Sequence, residues 1–139
     1  MKTLTEKEVA ISTLERYTGS EIKEFCSYLI LTNFSNYLSC FANKREVEIY
    51  EGAQFLVAHS KKEDISLLVF RMGSPLASLV VDLCSAADFK AAVFLGMCGG
   101  LREDYEIGDY FVPVASIRDE GTSNFYLPQE VPAMANFLI

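Results

Sequence analysis

Four short stretches of this chain set hydrogen-bonding or charged side chains at the ends of apolar runs, three of them beside glycine. In "AVFLGMCGG", Gly96, Gly99 and Gly100 fall within five positions after the run Ala91–Leu95, with Met97 and Cys98 between them. In "RMGSP", Arg71 and Met72 precede Gly73, and Ser74-Pro75 follow it. In "SIRDEGTSN", Arg118, Asp119, Glu120, Thr122, Ser123 and Asn124 gather around Gly121 within seven residues. Thr32-Asn33-Phe34 closes a run from Ser27 to Leu31. A helix opening at Ser74-Pro75 would present free N–H groups beside Arg71, which suits an anion. Glycines tolerate positive φ and the close approach of another group. The donors and acceptors of 118–124 suit a ribose or a purine edge. Plainer readings stand beside these: a simple turn with Arg71 in solvent, a strand crossing a bulge at GMCGG, and a solvated loop at 118–124.

Other chemistries find little support. The only histidine, His59, lies in the strand-like run "QFLVAHS", where a structural or surface role is expected rather than a place in a Ser-His-Asp triad. Cys26, Cys40, Cys84 and Cys98 form no CxxC pair and read as reduced thiols. Cys98 reads as a packed small hydrophobe, since no base accompanies it. With no ligand spacing in view, neither a metal nor a cofactor is expected. The net charge of −7 and the scattered Lys and Arg argue against nucleic acid. No apolar run approaches the ~20 residues that span a bilayer, and the opening "MKTLTEKEVAIS" lacks a signal-like apolar core, so a cytoplasmic protein is expected.

Those stretches need elements to hold them. Thr5–Tyr17 reads as a helix ending before Gly19, Glu21–Phe25 as a short helical lead-in, Ser27–Leu31 as a strand and Ser35–Asn43 as a helix. Gln54–Ala58 and Ser66–Phe70 are two β-type runs around the charged turn "KKED". Leu76, Leu79, Val80, Leu83 and Ala87 follow the spacing of an amphipathic helix, with Ser74 as its cap and Pro75 as its first residue. Ala91–Gly96 and Asp109–Ala115 read as buried strands, followed by a polar loop. The alternation predicts an α/β fold with a largely parallel central sheet in one domain, 1–139. In such sheets ligands collect at the carboxyl ends of the strands, where Asn33, Arg71–Ser74 and Gly96–Leu101 are expected.

"FRMGSPLASLVVDL" and "VFLGMCGGLREDYEIGDYFVPVASIRDEGTS" resemble the strand–MGxP–helix element and central glycine-rich strand end of the nucleoside phosphorylase and nucleosidase superfamily. "CGGL", "IGDY", "AxxRxEGTSNxYLPxEVPA" and the early "LTNFxNY" are similar to the AMP nucleosidases in their short bacterial form, over Leu31 to Phe137. The resemblance implies a three-layer α/β fold with a mixed sheet, and hydrolysis of AMP to adenine and ribose 5-phosphate. It implies a substrate site with Met72 against the ribose, Gly96, Cys98, Gly99 and Gly100 along the wall, and Arg118, Glu120, Gly121, Thr122 and Ser123 beside the nucleotide; Asn33, Arg71 and Gly73, from the strand ends, complete the expected substrate-binding set. The positions that hold phosphate in the phosphorylases fall on Phe94 and Met97, which favours water as the attacking group. Arg71 stands where relatives usually carry glycine. The chain corresponds to the N-terminal half to two-thirds of the family, without the segment that supplies the acid, so no catalytic residue is assigned. A non-catalytic nucleotide-binding or oligomerisation half-domain is the other reading, and self-association is expected under both.

Overall fold

Thr5 and Glu8 start the first helix reciprocally: the Thr5 hydroxyl accepts from the Glu8 N–H at 3.3 Å, and the Glu8 carboxylate accepts from the Thr5 N–H at 2.7 Å. This helix, α1 (Glu6–Thr18), ends at Gly19, whose left-handed φ of 69° lets its N–H reach the Glu15 carbonyl. The final carbonyls of α1 find partners further along the chain. The Arg16 oxygen accepts from the Ala53 N–H at 3.2 Å, and the Tyr17 oxygen from Gln54 at 3.2 Å and Phe55 at 2.8 Å. That docking requires bare backbone, because a Cβ on Gly52 would lie 2.3 Å from the Tyr17 oxygen. A 3₁₀ turn, Ile22–Glu24, follows the helix.

The computed structural model describes residues 4–135, which form two compact units, one reaching Gly96 and the other starting at Met97. In the first unit β1 (Tyr28–Thr32), β2 (Ile49–Glu51), β3 (Leu56–Ser60), β4 (Ile65–Val69) and β5 (Ala91–Leu95) make one mixed sheet in the order β2-β3-β4-β1-β5. β1 runs parallel to β4 and β5, whereas β2–β3 and β3–β4 are antiparallel. Strand residues point alternately to the two faces, and the two faces have separate cores. On one, Leu29, Leu31, Val57 and Leu68 pack with Leu14 of α1 and with Val80 and Leu83 of α3 (Ser74–Ser85). On the other, Ala58, Leu67 and Val69 pack with Leu38, Phe41 and Ala42 of α2 (Ser35–Arg45). The result is three layers, helix on sheet on helix, as the resemblance implies.

Several expectations need correction. The cap of α3 is Gly73, at φ 105°, and Ser74 is already helical. β2 carries no alternation of its own and exists because β3 offers it hydrogen bonds. β5 is not a buried strand: it pairs only with β1 in this sheet, and Val93 and Phe94 are 53% and 52% exposed.

In the second unit, Asp109–Ala115 does not form a buried strand. Only β6 (Ala115–Ser116) pairs there, antiparallel to β7 (Ala133–Met134), and Tyr110, Phe111, Val112 and Val114 are exposed. The "EIGD" turn is closed by the Asp109 carboxylate accepting from the Glu106 N–H at 3.0 Å, with Gly108 at φ 108°. A 3₁₀ turn, Thr122–Phe125, lies between β6 and β7.

Candidate functional site

Parallel strands exit a sheet on the same edge, so the carboxyl ends of β4, β1 and β5 lie side by side. At that edge the structure brings together Asn33 after β1, Arg71–Met72–Gly73 after β4, and Gly96 after β5. From β1 the chain enters α2 on one face, and from the adjacent β4 it enters α3 on the other. Neighbouring parallel strands whose connections leave to opposite faces open a crevice between them, the usual ligand position in such sheets.

Local interactions fix the crevice edges. The Phe70 N–H donates to the Thr32 carbonyl at 3.0 Å, and the Phe34 N–H donates to the Thr32 hydroxyl at 3.2 Å. Thr32 is buried and organises both strand ends, a role that its place at a strand end signals only after the pairing is known. Neither α2, opening after Phe34, nor α3, opening after Gly73, has a side-chain cap. Two helix N-termini with uncapped N–H groups therefore face this edge and favour negative charge. Arg71 adds a full positive charge. Its backbone takes φ 70°, a left-handed conformation that costs a residue with a Cβ, and its Nε donates to the Gln54 carbonyl at 2.9 Å. Met72 is 80% exposed beside it. A Cβ on Gly96 would meet no atom within 4 Å, so this glycine's bare backbone is open to solvent rather than packed on the protein.

The remaining predicted residues belong to the second unit. Gly99 and Gly100 do not adopt positive φ, and a Cβ on Gly100 would touch the Tyr105 ring at 3.3 Å. Cys98 is exposed, not the packed small hydrophobe expected. Cys84, by contrast, is buried, and burial pushes its thiol up to about 12, which leaves it inert as a nucleophile.

Arg118, Glu120, Gly121, Thr122 and Ser123 do come together, but by binding one another's backbone. Arg118 is 7% exposed, and its guanidinium donates to the carbonyls of Val131 at 2.6 Å, Ser123 at 2.9 Å, Leu127 at 3.1 Å and Pro128. The two Glu120 carboxylate oxygens accept from the Thr122 and Ser123 N–H groups, each at 2.9 Å, while Gly121 turns at φ 91°. Asp119 accepts from the Gln129 amide at 3.1 Å. In this arrangement Arg118 shapes the loop, and Glu120 holds the following turn as an acceptor. Among the described residues no group of three or more His, Cys, Asp or Glu is arranged to hold a metal, and no helix is long and apolar enough to cross a membrane.

Residues 18–139 match the family model described as the phosphorylase superfamily. The solved AMP nucleosidase of Bacteroides thetaiotaomicron is 42% identical, with a TM-score of 0.86 over 96% of this chain and 58% of its own. The AMP nucleosidase of Escherichia coli K12 is 24% identical over 90% of this chain and 33% of its length. Uridine phosphorylase of Vibrio fischeri shares the fold at 19% identity, with a TM-score of 0.72 over 85% of this chain and 50% of its own. The chain thus spans about a third of the Escherichia coli relative and little more than half of the solved one.

Proposed function

The chain belongs to the phosphorylase superfamily, and on that premise we propose that it serves hydrolysis of the N-glycosidic bond of AMP. The observation that carries this reading is the 42% identity to the Bacteroides thetaiotaomicron AMP nucleosidase across 96% of the chain. In the reaction a water oxygen attacks C1′ of the ribose and the C1′–N9 bond breaks. Its electron pair leaves with the adenine, which takes up a proton, and the water proton passes to solvent or a base. The transition state carries positive charge on the ribose, and protonating the base is what makes it leave.

In this proposal the nucleotide lies across the edge formed by Asn33, Arg71, Met72, Gly73 and Gly96, with its anionic group toward the helix N-termini and Arg71. Cys98, Gly99, Gly100 and the Arg118–Ser123 loop, which belong to the second unit, are proposed as substrate-binding residues in their own right, Arg118 through the backbone it holds. Water is favoured over phosphate because Phe94, packed edge-on to Phe70 with centroids 5.7 Å apart, offers no hydrogen-bond donor, and Met97 offers none either. One observation favours the second reading, a non-catalytic nucleotide-binding module. Asp119 and Glu120, the two acidic side chains beside Gly121, are both engaged as hydrogen-bond acceptors.

The deciding measurement is adenine release from AMP by the purified chain, with and without inorganic phosphate. Release at the same rate under both conditions is the expected result. Strict dependence on phosphate would replace hydrolysis with phosphorolysis. No release, with AMP still raising the thermal midpoint, would establish the binding module.

A further inference from the structure

His59 lies outside the candidate site, buried at the far part of the sheet, and both of its ring nitrogens are engaged. Nε2 is 2.9 Å from the Ser20 hydroxyl and Nδ1 is 2.8 Å from the Ser66 hydroxyl, its cross-strand partner on β4. Ser66 also accepts from the Cys26 N–H at 2.8 Å. Ser20, Cys26, His59 and Ser66 are all buried. One imidazole therefore fastens both ends of the segment that joins α1 to β1: Ser20 directly, and Cys26 through Ser66.

The hydrogens can be assigned from this geometry. Since the Cys26 N–H already occupies one lone pair of Ser66, and Ser66 has no other acceptor in reach among the described residues, its hydroxyl hydrogen points at Nδ1. Nδ1 is then the acceptor, and Nε2–H donates to Ser20. A proton on Nδ1 would abolish that acceptor and strand the Ser66 hydrogen in the interior, at a cost typical of a buried unpaired group.

We propose that His59 is a pH-sensitive latch: neutral, it holds the Thr18–Cys26 segment against β3 and β4, and protonated, it lets that segment open. The surroundings act in the same direction. Phe25 meets the ring edge-on at 4.8 Å and Tyr50 lies 5.5 Å away, so two aromatic rings replace water around it. Burial, then the charge of Lys61, lower its pKa from 6.5 to about 4, with Glu24 opposing. On the outer side, a cleft of about 440 Å³ that His59 also lines carries Lys44, Arg45, Lys61 and Lys62 against Glu46 and Glu63. A neutral native ring and a titrating unfolded one fix the sign. The latch holds fully above the unfolded value of 6.5, and weakens as pH falls from there to about 4.

The test is amide hydrogen exchange of the full chain at pH 7 and pH 5, corrected for intrinsic rates, together with an NMR titration of the His59 ring. The expected result is protection of residues 18–26 that drops at least tenfold at the lower pH while α2 keeps its own, and a ring that stays neutral well below 6.5. His59→Gln, which cannot titrate, should remove the pH dependence. If that variant does not fold, Ser20→Ala, which deletes only the Nε2 bond, should open the Ser20 end at pH 7. Titration of the ring near 6.5, or equal loss of protection in α2, would overturn the proposal.

Discussion

The two units of this chain are comparable in apolar content but not in what that content does. "LVAHS" in β3 and "YFVPVAS" before and within β6 look alike as sequence. In the first, all residues from Val57 to Ser60 are buried between helix layers, whereas in the second Tyr110, Phe111, Val112 and Val114 face solvent. The first unit is held by side chains packed on both sides of a sheet. The second is held by polar groups serving backbone: Asp109 at its turn, Glu120 at the 3₁₀ turn, and Arg118 at four carbonyls. A core tolerates small changes in many places. A loop tied through one guanidinium depends on that group.

The contrast can be broken from either side. The largest effect is expected in the first unit, from Gly52→Ala. Its new Cβ would sit 2.3 to 2.4 Å from backbone atoms of Tyr17 and Gly19, none of which can move without undocking α1. A loss of about 3 kcal/mol is expected in urea unfolding, and a loss below about 0.5 kcal/mol, the level of an ordinary surface change, would mean that α1 shifts freely. Next is Arg118→Ala, which takes the guanidinium from four carbonyls; those of Ser123 and Pro128 keep backbone donors, whereas those of Val131 and Leu127 lose the side chain that held them. Exchange of the 123–131 amides should accelerate about ten- to hundredfold, equivalent to about 1–3 kcal/mol of local stability, with β1 and β4 unaffected. Arg118→Lys should not restore protection, because an ammonium lacks the planar fork that reaches several acceptors. An equal change in β1 and β4 would dissolve the distinction between the units. The smallest effect is expected at Arg71→Gly. Relief of the φ 70° strain outweighs the bond to Gln54, for a net gain of about 0.5 kcal/mol in thermal unfolding. A fall in stability would show that the tie to Gln54 matters more than the strain.

Periodicity made the first unit readable. The spacing of Leu76, Leu79, Val80 and Leu83 places one helical face, and Val80 and Leu83 are buried on it. The stop of α1 at Gly19 follows from a residue that tolerates left-handed φ. What periodicity does not encode is which neighbour covers a strand. The run Ala91–Leu95 predicts burial by its composition, yet β5 has a single strand partner in the sheet and stays half exposed. β2 was invisible for the converse reason, since three residues with no apolar alternation become a strand only through β3. At the candidate site, the edge carrying Asn33, Arg71–Gly73 and Gly96 was legible, because parallel strands align their ends whatever their order. The part played by Arg118 was not. A buried arginine among carbonyls and a solvent-facing one beside a ligand have the same letter and the same polar neighbours. The glycines of GMCGG allowed positive φ, but such values fall instead on Gly19, Gly73, Gly108 and Gly121.

The end of α1 also behaves as a gauge. Its last carbonyls are matched by main-chain N–H groups of residues 53–55, so the side chains there are not what the contact reads. It reads length. Each residue advances an α-helix by about 100°, so one inserted or deleted within α1 would either swing those oxygens away from their donors or turn Leu14 off the sheet. A one-for-one substitution in this helix leaves that register in place, whereas a change in its length does not.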